Sequence, residues 1–256
     1  MCFYYSINKK KANTLTSKGV ISKSQLNKIP ERTVVNGFEH PAMPIITNTN
    51  PSDIELFQWG LVPSTVQSES EASRFLQSYN TLNAKGERLQ ESKIYSTPAK
   101  KQRCLVLASG FFEWHHVGKQ KIPYYISLKD DELFAFAGLW DVWTDTKGAI
   151  HNTYTIITTQ ANELMTEIHN TKKRMPVILT NEQEQLWLSA GISSKELSHL
   201  TQPISSELIK AHTIKNFLSP KHTASATADI LKEYDYSDIL KQHKGGGSPS
   251  QLTFNF

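Results

Sequence analysis

Residues 103–128 read RCLVLASGFFEWHHVGKQKIPYYISL, a strongly hydrophobic run followed by a short polar turn and a second β-rich run. The first part, RCLVLASGFFEW, is predicted as a single β-strand because apolar, branched and aromatic residues dominate it. The residues VGKQ then separate it from PYYISL, and a short polar turn between two such runs is typical of a β-hairpin. This stretch therefore predicts an antiparallel sheet.

Further β-rich segments lie on both sides of this hairpin. They are FYYSI (3–7), TVVNGFEHPAMPIIT (33–47), ELFQWGLVP (55–63), DELFAFAGLWDVW (131–143) and HNTYTIITTQA (151–161). Segments with helical character alternate with them, at residues 68–80, 161–169 and 181–190. Strands with interspersed short helices favour the α+β class. We predict a single domain with a mixed or mainly antiparallel sheet, or a barrel-like core, surrounded by helices.

The chain changes character near its C-terminus. Residues 245–250 read GGGSPS, a composition typical of flexible linkers. We predict one catalytic domain over residues 1–240 and a flexible tail over residues 241–256.

Composition and charge narrow the classes of function. The 256 residues carry a net charge of +4 with a pI near 8.9, which permits nucleic-acid binding through a local patch without requiring it. Two cysteines, Cys2 and Cys104, argue against a disulfide scaffold and a multi-cysteine zinc site. No apolar run follows the lysines at 9–11 or reaches the length of a membrane span. We expect a cytoplasmic protein with no signal peptide and no membrane contact.

Several common catalytic motifs are missing from the sequence. No P-loop, HExxH, CxxC or GxSxG pattern is present. Phosphate-cofactor, zinc-hydrolase and serine-hydrolase chemistry therefore lose their usual support. We expect a protein that uses no cofactor and no metal.

Cys2 lies directly behind the initiator methionine. Methionine is commonly trimmed before a small residue, and trimming would leave a thiol and a free α-amine on one residue. Both groups act as nucleophiles near neutral pH with modest activation. An aldehyde condenses with such an amine, and the thiol then closes a five-membered thiazolidine. The alternative interpretation is a small buried residue at the start of a strand.

Glu113 stands inside the apolar run, between Phe112 and Trp114. Side chains alternate along a strand, so its carboxylate is expected on the opposite face from those two rings. If that face lines a cleft, desolvation raises the pKa of Glu113 and suits it to proton transfer. An exposed strand residue is the equal alternative. His115 and His116 follow at once, and we interpret them as a solvated hairpin end rather than metal ligands.

His169 follows a helix and precedes the cations Lys172, Lys173 and Arg174. A histidine there can shuttle protons, and the cations can hold phosphates. A helix-terminal histidine followed by a solvated charge run is the alternative.

A polar, partly basic loop, YNTLNAKGERL, covers residues 79–89. Its Asn80 and Asn83 amides can orient a reacting oxygen or amine, and its Lys85 and Arg88 can grip a nucleic-acid backbone. Nucleic-acid binding also needs aromatic rings that stack on bases. Trp59, Trp114 and Phe38 lie near predicted turns, interleaved with Arg32 and Arg103, although core packing is the commoner fate of tryptophan.

Five motifs occur in a characteristic order along the chain: Cys at position 2, WGLVP, NTLNAKGE, RCLVLASGFFEW and TTQANELMTEIHNTKKRMPVIL. Together they resemble the SRAP family, the SOS-response-associated peptidase-like proteins, over roughly residues 2–220. Members of that family shield abasic sites in single-stranded DNA by covalent capture.

The resemblance implies a catalytic role for four residues. Met1 is removed, the Cys2 amine attacks the ring-opened deoxyribose aldehyde to give a Schiff base, and the Cys2 thiol closes a thiazolidine. Asn83 orients the terminus or the sugar, and Glu113 moves protons during ring opening and reversal. His169 assists at the sugar or phosphate and supports Schiff-base chemistry, including an associated lyase activity.

The resemblance also implies single-stranded DNA containing abasic sites as the partner, in a bacterial, nucleoid-associated protein. The residues that we predict to contact DNA are Lys85, Arg88, Arg103, Trp59, Trp114 and Arg174.

Two departures from the family pattern concern these residues. The usual N-A-R-S-E reads N-A-K-G-E here, so Lys85 keeps the charge but loses the bidentate fork of arginine. The usual H-D-R-M-P reads HNTKKRMP, with three extra residues between His169 and Arg174.

The tail suggests a second partner. Residues 251–256 read QLTFNF and resemble the short peptides that dock on bacterial sliding clamps. A frayed terminus is the alternative. For the whole protein, two other functions remain open: an N-terminal-nucleophile amidohydrolase, in which the Cys2 thiol attacks an amide, and a non-catalytic single-strand-binding module.

Overall fold

A computed structural model describes residues 2–12, 22–130, 132–217 and 228–244. The strands are β1 (Tyr4–Ile7), β2 (Arg32–Asn36), β3 (Ala42–Thr47), β4 (Asn50–Trp59), β5 (Asn83–Lys85), β6 (Arg103–Ala108), β7 (Gly110–Val117), β8 (Gln120–Leu128), β9 (Phe134–Thr144), β10 (Ile150–Gln160), β11 (Arg174–Pro176), β12 (Ile178–Leu179) and β13 (Ile209–Thr213). The α-helices are α1 (Lys23–Leu26), α2 (Glu69–Ser78), α3 (Ser96–Lys101), α4 (Glu163–Ile168), α5 (Asn181–Leu188), α6 (Ser194–Leu200) and α7 (Ser237–Lys244). None of these helices is long and apolar enough to cross a membrane.

Five strands close into a barrel. β4 pairs with β3, β3 with β6, β6 with β9 and β9 with β10, all antiparallel. β10 then returns to β4 in parallel and completes the ring, so none of the five strands is left with a free edge. β5 and β11 add to β10, and β12 adds to β9. The predicted α+β class, with a barrel-like core in a single domain, is confirmed.

A second, antiparallel sheet has the strand order β13-β8-β7-β1-β2. The run RCLVLASGFFEW, predicted as one strand, is in fact two strands in different sheets, and that prediction is wrong. β6 belongs to the barrel and β7 to the second sheet, with the corner at Ser109. Only glycine fits at position 110, because a Cβ atom there would lie 2.3 Å from the Tyr125 ring. The β7–β8 hairpin itself is confirmed.

Aromatic rings join the barrel to the inner face of the second sheet. Tyr5 from β1 packs on Trp59 and Phe136 of the barrel, with ring centroids 5.2 Å and 5.9 Å apart. Trp59 stacks on Tyr154, and the hydroxyl groups of Tyr5 and Tyr154 lie 3.2 Å apart within hydrogen-bonding distance. All four side chains are buried. This core fixes β1, and with it the start of the chain, against the barrel.

A separate apolar cluster covers the outer face of the second sheet. Phe112, Tyr125, Ile214 and Phe217 form its buried part, and Trp114 packs against it. Phe111, one residue before Phe112, instead belongs to the core under the sheet. The alternation places the Glu113 side chain on the inner side, opposite Phe112 and Trp114, as predicted.

α7 crosses the predicted domain boundary at residue 240, because its backbone is helical through residue 244. The linker residues 245–250 and the peptide at 251–256 lie outside the described residues. The boundary and the flexibility of the tail therefore stay predictions.

Candidate active site

Cys2 precedes β1 and is fully buried. Its thiol donates a hydrogen bond to the Tyr4 carbonyl oxygen at 3.6 Å. Burial raises the pKa of the thiol well above its ordinary value, and the negative charge of Glu113 raises it further. The sulfur is therefore held as a neutral thiol at neutral pH, and it needs a base before it can act as a nucleophile.

Asn83 begins β5, which adds to the edge of the barrel through parallel pairing with β10. Its side-chain Nδ2 donates a hydrogen bond to the Cys2 carbonyl oxygen at 3.0 Å. The Oδ1 atom of the same amide is buried and accepts no hydrogen bond from the described residues. Asn83 thus fixes the backbone of Cys2 and retains one acceptor for another group.

Glu113 lies on β7, which pairs with β1 next to the start of the chain. Its side chain is buried, and desolvation raises its pKa to about 7, against the opposing positive charge of the chain's amino terminus. A carboxyl group with this pKa is present in both protonation states near neutral pH. It can therefore donate a proton in one step and accept one in another.

His169 lies just after α4, as the C-cap residue. Its Nδ1 is 2.8 Å from the Arg174 carbonyl oxygen, which can only accept, so we assign the proton to Nδ1 and the lone pair to Nε2. Burial lowers the pKa of His169 to about 4, with the positive charge of the amino terminus acting in the same direction. The imidazole is therefore neutral at pH 7 and has its Nε2 lone pair available as an acceptor, although the lowered pKa makes it a weak base.

The four residues predicted to be catalytic lie in one place. Asn83 contacts Cys2 directly, and His169 Nδ1 lies 3.8 Å from Glu113 Oε1. β7, which carries Glu113, pairs with β1 just after Cys2, and this pairing brings the two contacts into one region. The site around Cys2 thus contains a thiol, a carboxyl group with a pKa near 7, a neutral imidazole and an amide. Their catalytic roles stay predictions.

The start of the loop after His169 is held against the hairpin that carries Glu113. Asn170 accepts a hydrogen bond from the His116 N–H at 3.0 Å and donates one to the His116 carbonyl oxygen at 2.9 Å. His115 Nδ1 contacts the Glu167 carbonyl oxygen at 2.7 Å. The hairpin end predicted to be solvated is half-buried and positions the His169 loop, a role that the sequence did not reveal.

Arg174 is bound to the NAKGE segment. Its guanidinium donates to both carboxylate oxygens of Glu87, at 2.7 Å and 3.0 Å, and to the Thr158 carbonyl oxygen at 2.7 Å. The same residue supplies the carbonyl that orients His169. Glu87 therefore ties the loop that bears Asn83 to the segment that sets the His169 ring.

Comparison with known proteins places this constellation in a family. The family model for the SOS response associated peptidase (SRAP) matches residues 1–220. The chain belongs to the SRAP family. The site residues fall at the SRAP motifs described above, with Lys85 and the three-residue insertion as the departures.

SRAP proteins similar to this chain occur in bacteria and in animals. The abasic site processing protein YoqW of Bacillus subtilis is 37% identical over 183 residues, covering 70% of this chain and 78% of YoqW. The abasic site processing protein HMCES of Rattus norvegicus is 30% identical over 224 residues, covering 76% and 60%. A crystal structure of a protein from Bacteroides thetaiotaomicron has a TM-score of 0.81 at 36% identity, covering 91% of this chain and all of that chain.

Two of the predicted DNA contacts in this SRAP chain are wrong. Trp59 is buried in the aromatic core and donates its indole N–H to the Leu82 carbonyl oxygen. Arg103 is also fully buried. Its guanidinium donates to main-chain carbonyl oxygens of α3, just before β6, and of the end of α5, at Ala99, Lys100, Trp187 and Ser189. Neither side chain has the exposure that a base or phosphate contact requires.

The remaining predicted contacts differ in exposure. Lys85 and Arg88 are partly or largely exposed and line one cavity together with Asn83. Trp114 is half-buried between Tyr4 and Phe217, at ring distances of 5.4 Å and 5.8 Å. The side chain of Arg174 is 14% exposed and already pairs with Glu87. For these four residues DNA contact stays a prediction.

One group of side chains in the described ranges has metal-ligand chemistry. Ligand atoms of Glu69, Asp145 and His151 lie within 4.8 Å of one another. Asp145 already accepts the N–H groups of Lys147 and Ala149 in the β9–β10 turn, and it lies 3.3 Å from His151 Nε2. The turn accounts for Asp145, stacking on Trp143 accounts for His151, and Glu69 is an exposed residue at the start of α2, so we assign the cluster no metal.

Proposed function

We propose that this protein processes abasic sites in single-stranded DNA by forming a covalent crosslink through Cys2. The observation that carries the proposal is the set of acid–base groups around Cys2: Glu113 with a pKa near 7, and neutral His169. The abasic site processing activity named for YoqW and HMCES supports it. The protein acts in the bacterial cytoplasm, at the nucleoid.

The proposed reaction begins with removal of Met1, which frees the α-amine of Cys2. The amine adds to the aldehyde carbon of the ring-opened deoxyribose, and the adduct loses one water molecule to give a Schiff base. The Cys2 thiol then adds to the imine carbon, forming a C–S bond while its proton passes to nitrogen. The product is a thiazolidine, equal to aldehyde plus aminothiol minus one water.

Each neighbouring group has a task in this sequence. Protonated Glu113 supplies the proton with which the hydroxyl group departs as water, and its carboxylate then accepts the proton of the thiol. Asn83 holds the Cys2 carbonyl and offers its Oδ1 atom to the amine or the sugar. His169 Nε2 accepts the C2′ proton of the Schiff-base sugar, and the freed electron pair expels the 3′ phosphate as the C3′–O bond breaks. This β-elimination is the proposed lyase activity.

The removal of Met1 belongs to the same proposal. This is a peptidase reaction of the chain on itself: the Cys2 thiol adds to the Met1 carbonyl carbon, the Cys2 nitrogen leaves as the free amine to give a thioester, and water hydrolyses the thioester to release Met1. Intact mass of the purified protein tests this step, since retention of Met1 excludes the thiazolidine.

A denaturing gel tests the proposed function most simply. The mature protein is incubated with a single-stranded oligonucleotide that contains one abasic site. We expect a slower band in the native protein and none in Cys2→Ala. Binding without a crosslink would indicate a single-strand-binding module. Absence of both would favour the amidohydrolase.

We also propose that residues 251–256 dock on the replication sliding clamp. This segment lies outside the described residues, so the proposal rests on the motif and on the gain in local concentration that a tether provides. Purified clamp is captured with the full chain and with a chain truncated after residue 244. Equal recovery would refute the docking.

A further inference from the structure

A cavity of about 330 Å³ adjoins the proposed active site. We call it the flanking pocket and define it by six of its lining residues, Tyr79, Thr81, Asn83, Lys85, Arg88 and Tyr95. It shares Asn83 with the site around Cys2, whereas Cys2, Glu113 and His169 do not line it. Its volume lies at the lower end of the roughly 300–1,000 Å³ of cavities that take small ligands.

Two residues that line the flanking pocket each have a buried polar atom with no hydrogen-bond partner among the described residues. These atoms are the Thr81 hydroxyl and Asn83 Oδ1. Thr81 is 2% exposed, so burial of its hydroxyl costs desolvation free energy that no hydrogen bond offsets in the free protein. Such atoms indicate a ligand with N–H or O–H donors, because Asn83 Oδ1 can only accept.

The rim of the flanking pocket offers an aromatic face and two cations. Tyr79, at the C-terminal end of α2, is 55% exposed, and its ring lies 4.9 Å from that of Phe75. Lys85 is exposed, and Arg88 faces Glu91 only at 4.0 Å in a solvent-exposed pair, which is a weak interaction. These groups match the parts of a nucleotide. The base can stack on the Tyr79 ring, the hydrogen-bonding edge of the base can donate to the buried acceptors, and the phosphate can bind the two cations.

We propose that the flanking pocket binds the nucleotide next to the abasic site, with its base extruded from the strand. This inference rests on the proposed function, because the Cys2 site must hold the abasic sugar. The shared residue Asn83 then holds the Cys2 carbonyl through Nδ2, and the two lone pairs of its Oδ1 accept one hydrogen bond at the reacting site and one from the neighbouring base. The pocket makes the rate of capture depend on the presence of one flanking base.

Three oligonucleotides test the proposal. The parent carries one abasic site between normal nucleotides. In the other two, a tetrahydrofuran residue, which has neither base nor aldehyde, replaces the 5′ neighbour or the 3′ neighbour. We expect the crosslinking rate at subsaturating protein to fall about tenfold in one of these two and to change little in the other. Equal rates on all three would overturn the proposal.

Variants assign the effect to the pocket. Tyr79→Ala should crosslink the parent about tenfold more slowly and lose the discrimination between substrates, whereas Tyr79→Phe keeps both. Tyr234→Ala, which removes another exposed ring, is the matched control and should behave as the native protein. Thr81→Val should be at least as stable as the native protein to urea, since it removes an unpartnered hydroxyl, but should discriminate less. Native behaviour of both Tyr79→Ala and Thr81→Val would contradict the assignment.

Failure of this inference is distinguishable from failure of the proposed function. Fluorescence anisotropy of the same labelled oligonucleotides with Cys2→Ala reports binding without the covalent step. Loss of every crosslink together with retained discrimination in anisotropy would refute the covalent function and support the pocket. Crosslinking with no discrimination in either assay would refute the pocket alone.

Discussion

At the scale of single residues, burial shifts the pKa values of Glu113 and His169 in opposite directions. Glu113 holds its proton up to about pH 7, and His169 stays neutral down to about pH 4. Between these values both groups are uncharged in the folded protein. In the unfolded chain Glu113 is ionised above about 4.5 and His169 is charged below about 6.5. Keeping both groups buried therefore costs stability in this window, in return for an acid and a base at the site.

Replacing Glu113 by glutamine tests its raised pKa. The folded protein retains a proton that the unfolded chain releases above pH 4.5, so the native protein loses stability as the pH rises from 4.5 to 7. Glu113→Gln does not titrate and should gain on the order of 1–3 kcal/mol over the native protein at pH 8, with little gain at pH 4. Urea unfolding at both pH values measures this. A pH-independent difference would contradict the raised pKa.

The same variant should lose activity. Without a group that exchanges protons near neutral pH, Glu113→Gln should form the crosslink at least about a hundredfold more slowly, in the range typical of a lost general acid–base group. The rate of the native protein should depend on a group with a pKa near 7, and this dependence should vanish in the variant.

At the scale of elements, the His169 loop is held by the hairpin that bears Glu113. The two hydrogen bonds between the Asn170 side chain and the His116 backbone, one accepted and one donated by Asn170, fix the loop on the same strand that presents the carboxyl group. The family-atypical insertion is therefore accommodated without loss of the contact between His169 and Glu113.

Asn170→Ala should loosen this arrangement. Loss of both hydrogen bonds should destabilise the fold by on the order of 1–2 kcal/mol and slow crosslinking, because the imidazole is less well placed. Thr171→Ala, at the exposed neighbouring position, is the matched control. Crosslinking kinetics and urea unfolding are measured on both variants. If Asn170→Ala reacts like Thr171→Ala, the loop contact has no part in the reaction.

A comparison of two arginines tests the corrected assignment of Arg103. Arg88 is exposed at the flanking pocket, so Arg88→Gln should lower the slope of log K against log salt for single-stranded DNA by about one, with stability nearly unchanged. Arg103→Lys keeps the charge but loses the fork to four carbonyl groups. It should cost on the order of 2 kcal/mol of stability and leave the slope unchanged. A lower salt slope in Arg103→Lys, with the slope of Arg88→Gln unchanged, would show that Arg103 contacts DNA.

At the scale of the whole molecule, local patterns predicted what depends on local geometry. The polar turn between two β-rich runs was enough to predict the β7–β8 hairpin. The alternation of side chains along a strand was enough to predict that Glu113 faces away from Phe112 and Trp114. The α+β class followed from the mixture of strands and short helices. Cys2, Asn83, Glu113 and His169 were brought together by motif resemblance, since they are distant in sequence.

Features that depend on distant partners were not predictable in this way. Arg103 lies at the start of a strand, where the sequence alone predicts an exposed cation. Its hydrogen-bond partners Trp187 and Ser189 are more than 80 residues further along the chain. The parallel β4–β10 pair that closes the barrel joins segments about 95 residues apart. The split of residues 103–114 between two sheets depends on the close approach of Tyr125 to Gly110. None of these contacts leaves a local pattern.

In the proposed reaction, Cys2 captures an abasic site through its own amine and thiol. Intact mass spectrometry of the adduct with an abasic single-stranded oligonucleotide tests it most directly, without borohydride reduction. We expect the mass of the chain without Met1 plus that of the oligonucleotide minus one water, and no adduct in Cys2→Ala. An adduct that retains Met1, or one that persists in Cys2→Ala, would contradict it.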